Sequence, residues 1–340
     1  MYCKFGDNGI MYWGRKDEFT TYENVISVVY NGVIATGKVY AQKEKTGILA
    51  ESYFIKVRNY EASHNQNIFL SALLEKTLYH KYSRDYLATW DNKVENDKIM
   101  LPIKDNSIDF DFMESFIAEL EAQRIAELEA YLSVTGLKDT HLSIEEEQAL
   151  KDFDKIQWHS CRIGGLFERV KTQKLPYKAS DLPKGATGKY LLPCLTSSFN
   201  NQGLNYFVPE EGATILKDVI SIPSNSDVYR AYYQSRKFTV LSDAYAIRWN
   251  YNNTNLTSRQ YLFFVSCINK VTDLKIYSYK NKLGGWNVVK DKYFKVPVKN
   301  NEIDFCYMDT LISAIQKLVI KDVVTYSDDK ISATQSVVKK

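Results

Sequence analysis

Short runs of alternating apolar and polar residues recur along the chain and predict β-strands. The clearest are VISVV, YFIKV, VISIP, FTVL and YAIRW. Clusters of Gly, Asn and Asp between these runs predict turns. Two longer segments, NIFLSALLEKTLYHKY and RQYLFFVSCINKVTDL, have the apolar spacing of helices. The pattern therefore predicts a mixed fold that contains both strands and helices.

The apolar period changes after two proline-containing motifs. Beyond Asp109 apolar residues recur near heptad spacing as far as Gly136, and a similar stripe follows Asp304. Each aspartate is expected to cap a helix, and Gly136 is expected to provide a left-handed C-terminal turn. We predict two long helices that pair through their stripes, because the first is acidic and the second carries lysines. Separate packing of each helix on its own domain is the alternative.

A capping box is also visible further along the chain. Ser143 stands three residues before Glu146 in SIEEEQAL, which predicts the start of a short helix.

The chain repeats itself. LPIKDNSIDFDFM at 101–113 returns as VPVKNNEIDFCYM at 296–308, with an offset of 195 residues. Three earlier blocks, at 5–13, 23–28 and 49–57, return in the same order with offsets between 192 and 194. This order predicts a duplication. Residues 156–194 have no counterpart in the first copy, so that copy is either shortened or read from an internal Met.

Composition and charge narrow the classes of function. At ~100–200 residues per domain, 340 residues correspond to about two domains. Residues 101–155 carry a net charge of −9 and residues 161–300 carry +12. The basic block is rich in Tyr, Asn, Ser and Thr, which suits phosphate and base-edge contacts. A solvated basic surface is the alternative reading.

Several motifs of catalysis and localisation are missing from the sequence. It has no tandem prolines of the kind adenine methyltransferases need, no phosphate-binding glycine loop and no paired metal-ligand spacing among four histidines. We therefore expect no catalytic residue, cofactor or metal ligand. No secretory signal or membrane span is visible, and five scattered cysteines fit free thiols, so we expect a cytoplasmic protein.

The order of strand-rich segment, proline motif, IDF-x-x-M and long helix, given twice, resembles the specificity (S) subunits of type I restriction-modification systems and the related BcgI-like recognition subunits. The opening IGGLFERVKTQKLPYKASDLP at 163–183 resembles them too. The resemblance covers roughly 1–325, and the missing opening of the first domain departs from it.

The resemblance implies an α+β fold with two repeated β-rich target-recognition domains, separated by two long paired helices that form an antiparallel coiled-coil-like spacer with pseudo-twofold symmetry. The expected boundaries are 1–102 for a shortened first recognition domain, 103–155 for a first spacer, 156–297 for the second domain, 298–326 for a second spacer and 327–340 for a tail. About 25 helical residues span ~37 Å, close to one turn of B-DNA at ~34–36 Å.

Polar and basic residues of the recognition domains are the candidate contacts to double-stranded DNA. In the second copy we expect Lys174, Lys178, Thr196, Ser197, Ser198, Asn200, Asn201, Gln202, Tyr229, Arg230, Tyr233, Arg236 and Lys237. In the first copy we expect Asn8, Lys38, Tyr40 and Lys43. Arg, Asn and Gln can bind base edges, whereas Lys and Ser more often bind phosphates.

The stripes of the two long helices are the candidate partner-binding residues. They are Met113, Phe116, Ile117, Leu120, Met308, Ile312, Ile315 and Val319. The resemblance implies methyltransferase subunits, or fused restriction-methylation subunits, as partners, with a restriction subunit as a further candidate. The expected function is non-catalytic recognition of a bipartite DNA site. The alternative is a duplicated β-rich protein- or polysaccharide-binding module without DNA function.

Overall fold

The computed structural model describes residues 3–15, 18–252 and 254–338, with side chains described up to Ala333 in the last helix. Its contacts divide the chain into two compact units. The first unit contains residues 1–134 and 327–340, and the second contains residues 135–326. Both units combine helices and strands, which confirms the predicted mixed content.

The first unit is organised around a three-stranded antiparallel sheet. Its strands are β1 (Thr21–Tyr22), β2 (Val25–Val29), β3 (Val39–Gln42), β4 (Thr46–Gly47), β5 (Ser52–Ile55), β6 (Ile103–Lys104) and β7 (Ser107–Ile108). The central sheet has the order β3-β2-β5, while β1 pairs with β4 and β6 with β7. Every residue of β2 is buried, because β2 lies between two strands and beneath a helix.

The helices α1 (His64–Lys81) and α2 (Phe110–Val134) lie entirely within the first unit. Helix α1 begins at a capping box formed by Ser63 and Gln66. Helix α2 begins where the Phe112 amide donates to Asp109 Oδ1 at 2.8 Å, as the sequence predicts. The predicted left-handed residue is Gly136, with φ of 68°.

The second unit has three sheets. Its strands are β8 (Trp158–Arg162), β9 (Phe167–Arg169), β10 (Leu192–Leu195), β11 (Leu204–Val208), β12 (Val219–Pro223), β13 (Tyr232–Gln234), β14 (Thr239–Val240), β15 (Ala244–Trp249), β16 (Tyr293–Lys299) and β17 (Glu302–Ile303). The main sheet has the order β13-β12-β15-β9, and the others are β11-β10-β14 and β17-β16-β8.

The helices α3 (Ile144–Lys151), α4 (Ile163–Leu166), α5 (Ser258–Thr272) and α6 (Trp286–Val289) lie in the second unit, where α5 packs on β12, β13 and β16. Helix α7 (Phe305–Val338) begins in the second unit, and its residues from Ser327 on belong to the first unit. The predicted capping box of Ser143 and Glu146 starts α3. Helix α7 continues through the segment expected to be a tail, because neither Gly nor Pro interrupts the sequence after Asp304.

The pairing register of the two main sheets is the same. In the first unit Ile26 faces Ile55 and Val28 faces Tyr53. In the second unit Ile220 faces Ile247 and Ile222 faces Tyr245. These four positions of the second unit lie 192 or 194 residues beyond those of the first, which are the offsets of the sequence repeat.

In each unit, the carboxylate at the fifth residue of the long helix accepts hydrogen bonds from the N-terminal turn of the shorter helix. In the second unit, Asp309 accepts hydrogen bonds from Thr257 Oγ1 and Gln260 Nε2, both at 2.5 Å. In the first unit, Glu114 accepts from Ser63 Oγ and from Asn65 Nδ2. The carboxylates therefore join the N-terminal turns of two helices, where negative charge is favoured.

None of the described helices combines the length and the apolar content needed to cross a membrane.

The contact between Asp309 and the capping box of α5 leads to the first testable prediction. Replacing Asp309 by Ala leaves two polar groups of the α5 capping box without their acceptor. We expect the free energy of unfolding of the second unit to fall by about 1–3 kcal/mol. Urea unfolding followed by tryptophan fluorescence measures it, with Asp322→Ala, on the exposed side of α7, as the matched control. Equal effects of the two substitutions would contradict the proposed junction.

Candidate nucleic-acid interface

A buried glutamine holds an exposed turn in the second unit. The turn is a 3-10 segment, Asn200–Gly203, next to β11. Gln234, which is 3% exposed, donates from Nε2 to the Gln202 carbonyl at 3.2 Å and to Ser221 Oγ at 2.9 Å. Since Ser221 lies in the central strand β12, the turn is fixed to the middle of the main sheet.

The first unit contains the same arrangement. Gln42, also 3% exposed, donates from Nε2 to the Asn8 carbonyl at 2.9 Å and to Ser27 Oγ at 3.1 Å. Asn8 lies in the 3-10 segment Asp7–Gly9, and Ser27 lies in the central strand β2. Each unit thus presents one polar turn that is held by one buried amide.

Both turns depend on left-handed backbone conformations. Asn201 and Gln202 have φ of 47° and 55°, and Asp7 and Asn8 have 45° and 52°. Gly203 closes the second turn with φ of 87°, and a Cβ there would lie 2.6 Å from Leu195 Cδ1. Polar side chains with local hydrogen bonds tolerate this region, which explains the Asn, Asp and Gly composition of the turns.

In each unit a tyrosine hydroxyl donates a hydrogen bond to a backbone carbonyl that precedes the turn. Tyr40 donates from its hydroxyl to the Lys4 carbonyl, and Tyr232 donates to the Phe199 carbonyl, each at 3.1 Å. Burial raises the pKa of both phenols above its ordinary value near 10, so both hydroxyls keep their protons well above neutral pH. Tyr40 therefore serves the turn through its hydroxyl. The neighbour of Tyr232, Tyr233, donates to Asp218 Oδ1 at 2.8 Å and stacks on Tyr261.

We define the reading surface of the second unit as the turn 200–202 with the β13–β14 loop 235–237. Its outer residues Asn200, Asn201, Gln202, Arg236 and Lys237 are all exposed. Because Gln234 precedes the loop and binds the turn, the two segments are neighbours. A shallow cavity of about 760 Å³ adjoins the turn, and its polar lining includes Lys184, Thr196, Ser197, Ser198, Asn200, Asn201 and Asn205.

We define the reading surface of the first unit as the turn 7–9 with the β3–β4 loop 43–45. Asn8 and Lys43 were expected there, and both line one cavity of about 710 Å³. Arg15, Lys45 and Trp13, which is 95% exposed, line it too, and the sequence reasoning missed them. Lys45 corresponds to the expected contact Lys237 at the repeat offset of 192 residues, so comparing the two copies would have identified it.

Two of the expected basic contacts are held by carboxylates. Lys38 Nζ lies 2.7 Å from Glu75 Oε1, and its side chain is 14% exposed. Arg230 Nε lies 2.7 Å from Asp273 Oδ2, and this ion pair raises the pKa of the guanidinium. Their charges are therefore partly neutralised, and we expect smaller contributions to phosphate binding from them than from Arg236 and Lys237.

Two of the expected DNA contacts, Tyr229 and Thr196, are buried or nearly buried. Tyr229 is 1% exposed in the main core of the second unit, so its side chain cannot reach DNA. Thr196 is 9% exposed, and its hydroxyl lies 3.4 Å from the Gly203 carbonyl, which assigns it to the support of the turn.

Lys174 and Lys178 lie on the segment before β10. Both are exposed, and Leu175 between them is buried against residues of β10 and β11. Their contact with DNA remains a prediction.

Three of the expected partner-binding residues are also buried and cannot bind a partner in this conformation. Met113 and Met308 are completely buried and Ile312 is 8% exposed, each within the core of its own unit. A heptad position specifies an inward face but not which element covers it. Ile117 is half-buried. The remaining stripe residues are exposed, namely Phe116, Leu120, Ile315 and Val319.

Within the described residues, no group of three or more His, Cys, Asp or Glu side chains is arranged to hold a metal ion.

Comparison with known proteins relates the chain to one family. Residues 5–130 match the family model of the type I restriction modification DNA specificity domain. The chain is 20% identical over 328 residues to the specificity subunit S.BcgI of a type II restriction enzyme from Heyndrickxia coagulans, and the match covers 92% of this chain and 88% of that protein.

Solved structures with similar chains are also specificity subunits. The S subunit of a type I system from M. genitalium is 14% identical with a TM-score of 0.49, covering 97% of this chain and 84% of that one. The HsdS subunit from Thermoanaerobacter tengcongensis is 13% identical with a TM-score of 0.35, covering 94% and 81%. Both TM-scores are below 0.5, so the resemblance rests on the sequence matches.

Residues 5–130 are therefore similar to the type I restriction modification DNA specificity domain, and the resemblance of the chain to specificity subunits, including a BcgI-like one, is confirmed.

The reading surface of the second unit makes the second prediction. Replacing Arg236 and Lys237 together by Ala removes two cations from an exposed loop without disturbing a buried contact. We expect weaker DNA binding and a salt dependence whose slope falls by about 1 for each phosphate that is no longer bound. Mobility shifts at several salt concentrations measure this slope, with Lys155→Ala as the control. Unchanged binding by the double variant would remove the loop from the interface.

Proposed function

We propose that this protein is the sequence-specific DNA-recognition subunit of a restriction-modification complex of type I or BcgI-like organisation. The match of residues 5–130 to the DNA specificity domain carries this proposal. The polar turns and basic loops of the two reading surfaces supply the chemistry, because Asn, Gln and Arg side chains can distinguish bases in the major groove.

We propose further that the two units derive from one duplicated recognition domain and that each reads one half of a bipartite site. Three features support the duplication: the common strand register, the buried pairs Gln42–Ser27 and Gln234–Ser221, and the carboxylate junctions at the starts of α2 and α7. The proposed recognition domains are 1–102 and 156–297, with 103–155 and 298–326 as spacers.

We propose that α2 and α7 pair antiparallel, so that the two recognition domains are related by a pseudo-twofold axis. Helix α2 has 25 residues, and at ~1.5 Å per residue it is about 37 Å long, close to one turn of B-DNA. Within the first unit, Lys330 of α7 forms an ion pair with Glu121 of α2, which supports contact between the helices. It also agrees with the expectation that unlike charges meet.

The exposed part of the helical stripes is the proposed docking surface for methyltransferase subunits. Phe116 and Leu120 on α2 are 47% and 41% exposed, and Ile315 and Val319 on α7 are 40% and 74% exposed. Apolar side chains that are exposed to this extent along one helix face are typical of surfaces that bind another protein. A restriction subunit is a further proposed partner.

The proposed role is non-catalytic and needs no cofactor of its own, and it places the chain in the cytoplasm with the DNA. A duplicated β-rich module for protein or polysaccharide binding is not favoured, because the family match is to a DNA specificity domain.

The proposed function makes the third prediction. With its methyltransferase partner, the protein should shift duplex DNA that contains its site, with a logarithm of affinity that falls linearly with the logarithm of salt concentration. Replacing Lys43 and Lys45 by Ala should weaken binding and reduce this slope by about 1 for each phosphate that either lysine binds. Binding that is insensitive to salt, or no DNA shift with the partner present, would contradict the proposal.

A further inference from the structure

The first unit has an apolar groove along its main sheet. The groove encloses about 180 Å³ and lies between β5, helix α1 and the segment before β6. Ile55, Leu74, Ile99 and Leu101 line it, and among the described residues Lys56 is the one charged residue in its lining. A groove of this composition favours an apolar occupant.

The corresponding place in the second unit is filled. Ile163, Leu166 and Phe167 lie there at 0%, 3% and 2% exposure, packed into the main core. Phe167 makes edge contacts with Trp249 and Phe264, which correspond by the repeat offsets to Val57 and Leu70 of the groove. The segment that fills this place belongs to residues 156–194, for which the first copy has no counterpart.

Corresponding side chains of the two units differ in burial. In the second unit Ile247, Ile268 and Val296 are completely buried. Their counterparts Ile55, Leu74 and Leu101 are only half-buried. The first unit thus exposes side chains that the second unit removes from water, at a cost of roughly 25 cal/mol for each Å² of apolar surface.

The edge of the sheet shows the same difference. In the second unit β15 pairs on its outer side with β9, where Arg248 faces Glu168 and their Nε and Oε1 atoms are 2.6 Å apart. Among the residues that the structure describes, β5 has β2 as its single strand partner. Lys56, the counterpart of Arg248, is exposed there and therefore favours an acidic residue in the occupant.

We propose that this groove and the outer edge of β5 bind a polypeptide strand with the chemistry of residues 163–168. Such a strand carries apolar residues at its first, fourth and fifth positions and a carboxylate at its sixth. Its apolar side chains fill the groove, its backbone extends the sheet beside β5, and its carboxylate pairs with Lys56. This inference rests on the proposed duplication but not on DNA recognition.

A labelled peptide tests the proposal directly. The peptide spans residues 158–171 with Cys161→Ser, and fluorescence anisotropy follows its titration with the full chain. We expect saturable binding with one peptide per chain and a dissociation constant below about 100 µM. A peptide with Leu166→Asp and Phe167→Asp should bind at least about tenfold more weakly, because it no longer buries two apolar side chains in the groove.

Exchanging the charges of Lys56 in the chain and Glu168 in the peptide tests whether the peptide lies in the groove. Lys56→Glu in the chain, or Glu168→Lys in the peptide, should weaken binding about two- to fivefold, and the two changes together should restore it. Lys76→Glu, an equal charge change on the exposed side of α1, should leave the affinity unchanged. Hydrogen exchange of the amides at 52–57 should slow when the peptide is bound.

Four results would overturn the proposal. They are absence of binding up to about 1 mM peptide, equal binding of the doubly substituted peptide, failure of the charge exchange to restore affinity, and a concentration-dependent dimer of the chain that excludes the peptide. The last result would make a second copy the occupant. Because no DNA is present, these results are independent of the proposed function.

Discussion

A buried amide that must find hydrogen-bond partners determines where each unit presents its polar turn. Gln42 and Gln234 are almost completely shielded from water, and an unpaired amide there would cost about 1–3 kcal/mol. Each satisfies its Nε2 donor with a serine hydroxyl of the central strand and with a carbonyl of the turn. The turn is thereby tied to the most buried strand of the sheet, and the neighbouring basic loop lies beside it. Reading surfaces on rigid supports can bind DNA with little loss of conformational freedom.

The two reading surfaces differ although their supports agree. The loop of the first unit is Lys43-Glu44-Lys45, and that of the second is Ser235-Arg236-Lys237. The turns present Asp7 and Asn8 in one unit and Asn201 and Gln202 in the other. Since the supporting hydrogen bonds involve buried side chains and backbone carbonyls, the exposed side chains are free to vary. This division between support and surface is what two domains need if they are to read different half-sites.

Sequence patterns predicted much of the fold because they reflect local physics. Asp109, Asp304 and the capping box at Ser143 act within one turn of backbone, so their roles were visible without tertiary information. The burial of Met113 and Met308 was not predictable from heptad spacing, because the spacing does not tell which element covers the stripe. Tyr229 was misassigned because the polar composition of its segment does not tell which of its side chains face the core. The ion pairs that hold Lys38 and Arg230 join residues 37 and 43 positions apart, so composition alone suggested free cations.

The central claim is that each unit reads its own half of a divided DNA site. Sequencing of modified bases in DNA from cells that express the chain with its methyltransferase partner tests this claim most directly. The account predicts a motif of two short half-sites separated by an unspecified spacer. It also predicts that exchanging residues 200–202 and 235–237 for those of a related subunit alters one half-site and leaves the other unchanged. A single uninterrupted motif, or a change in both halves, would contradict the account.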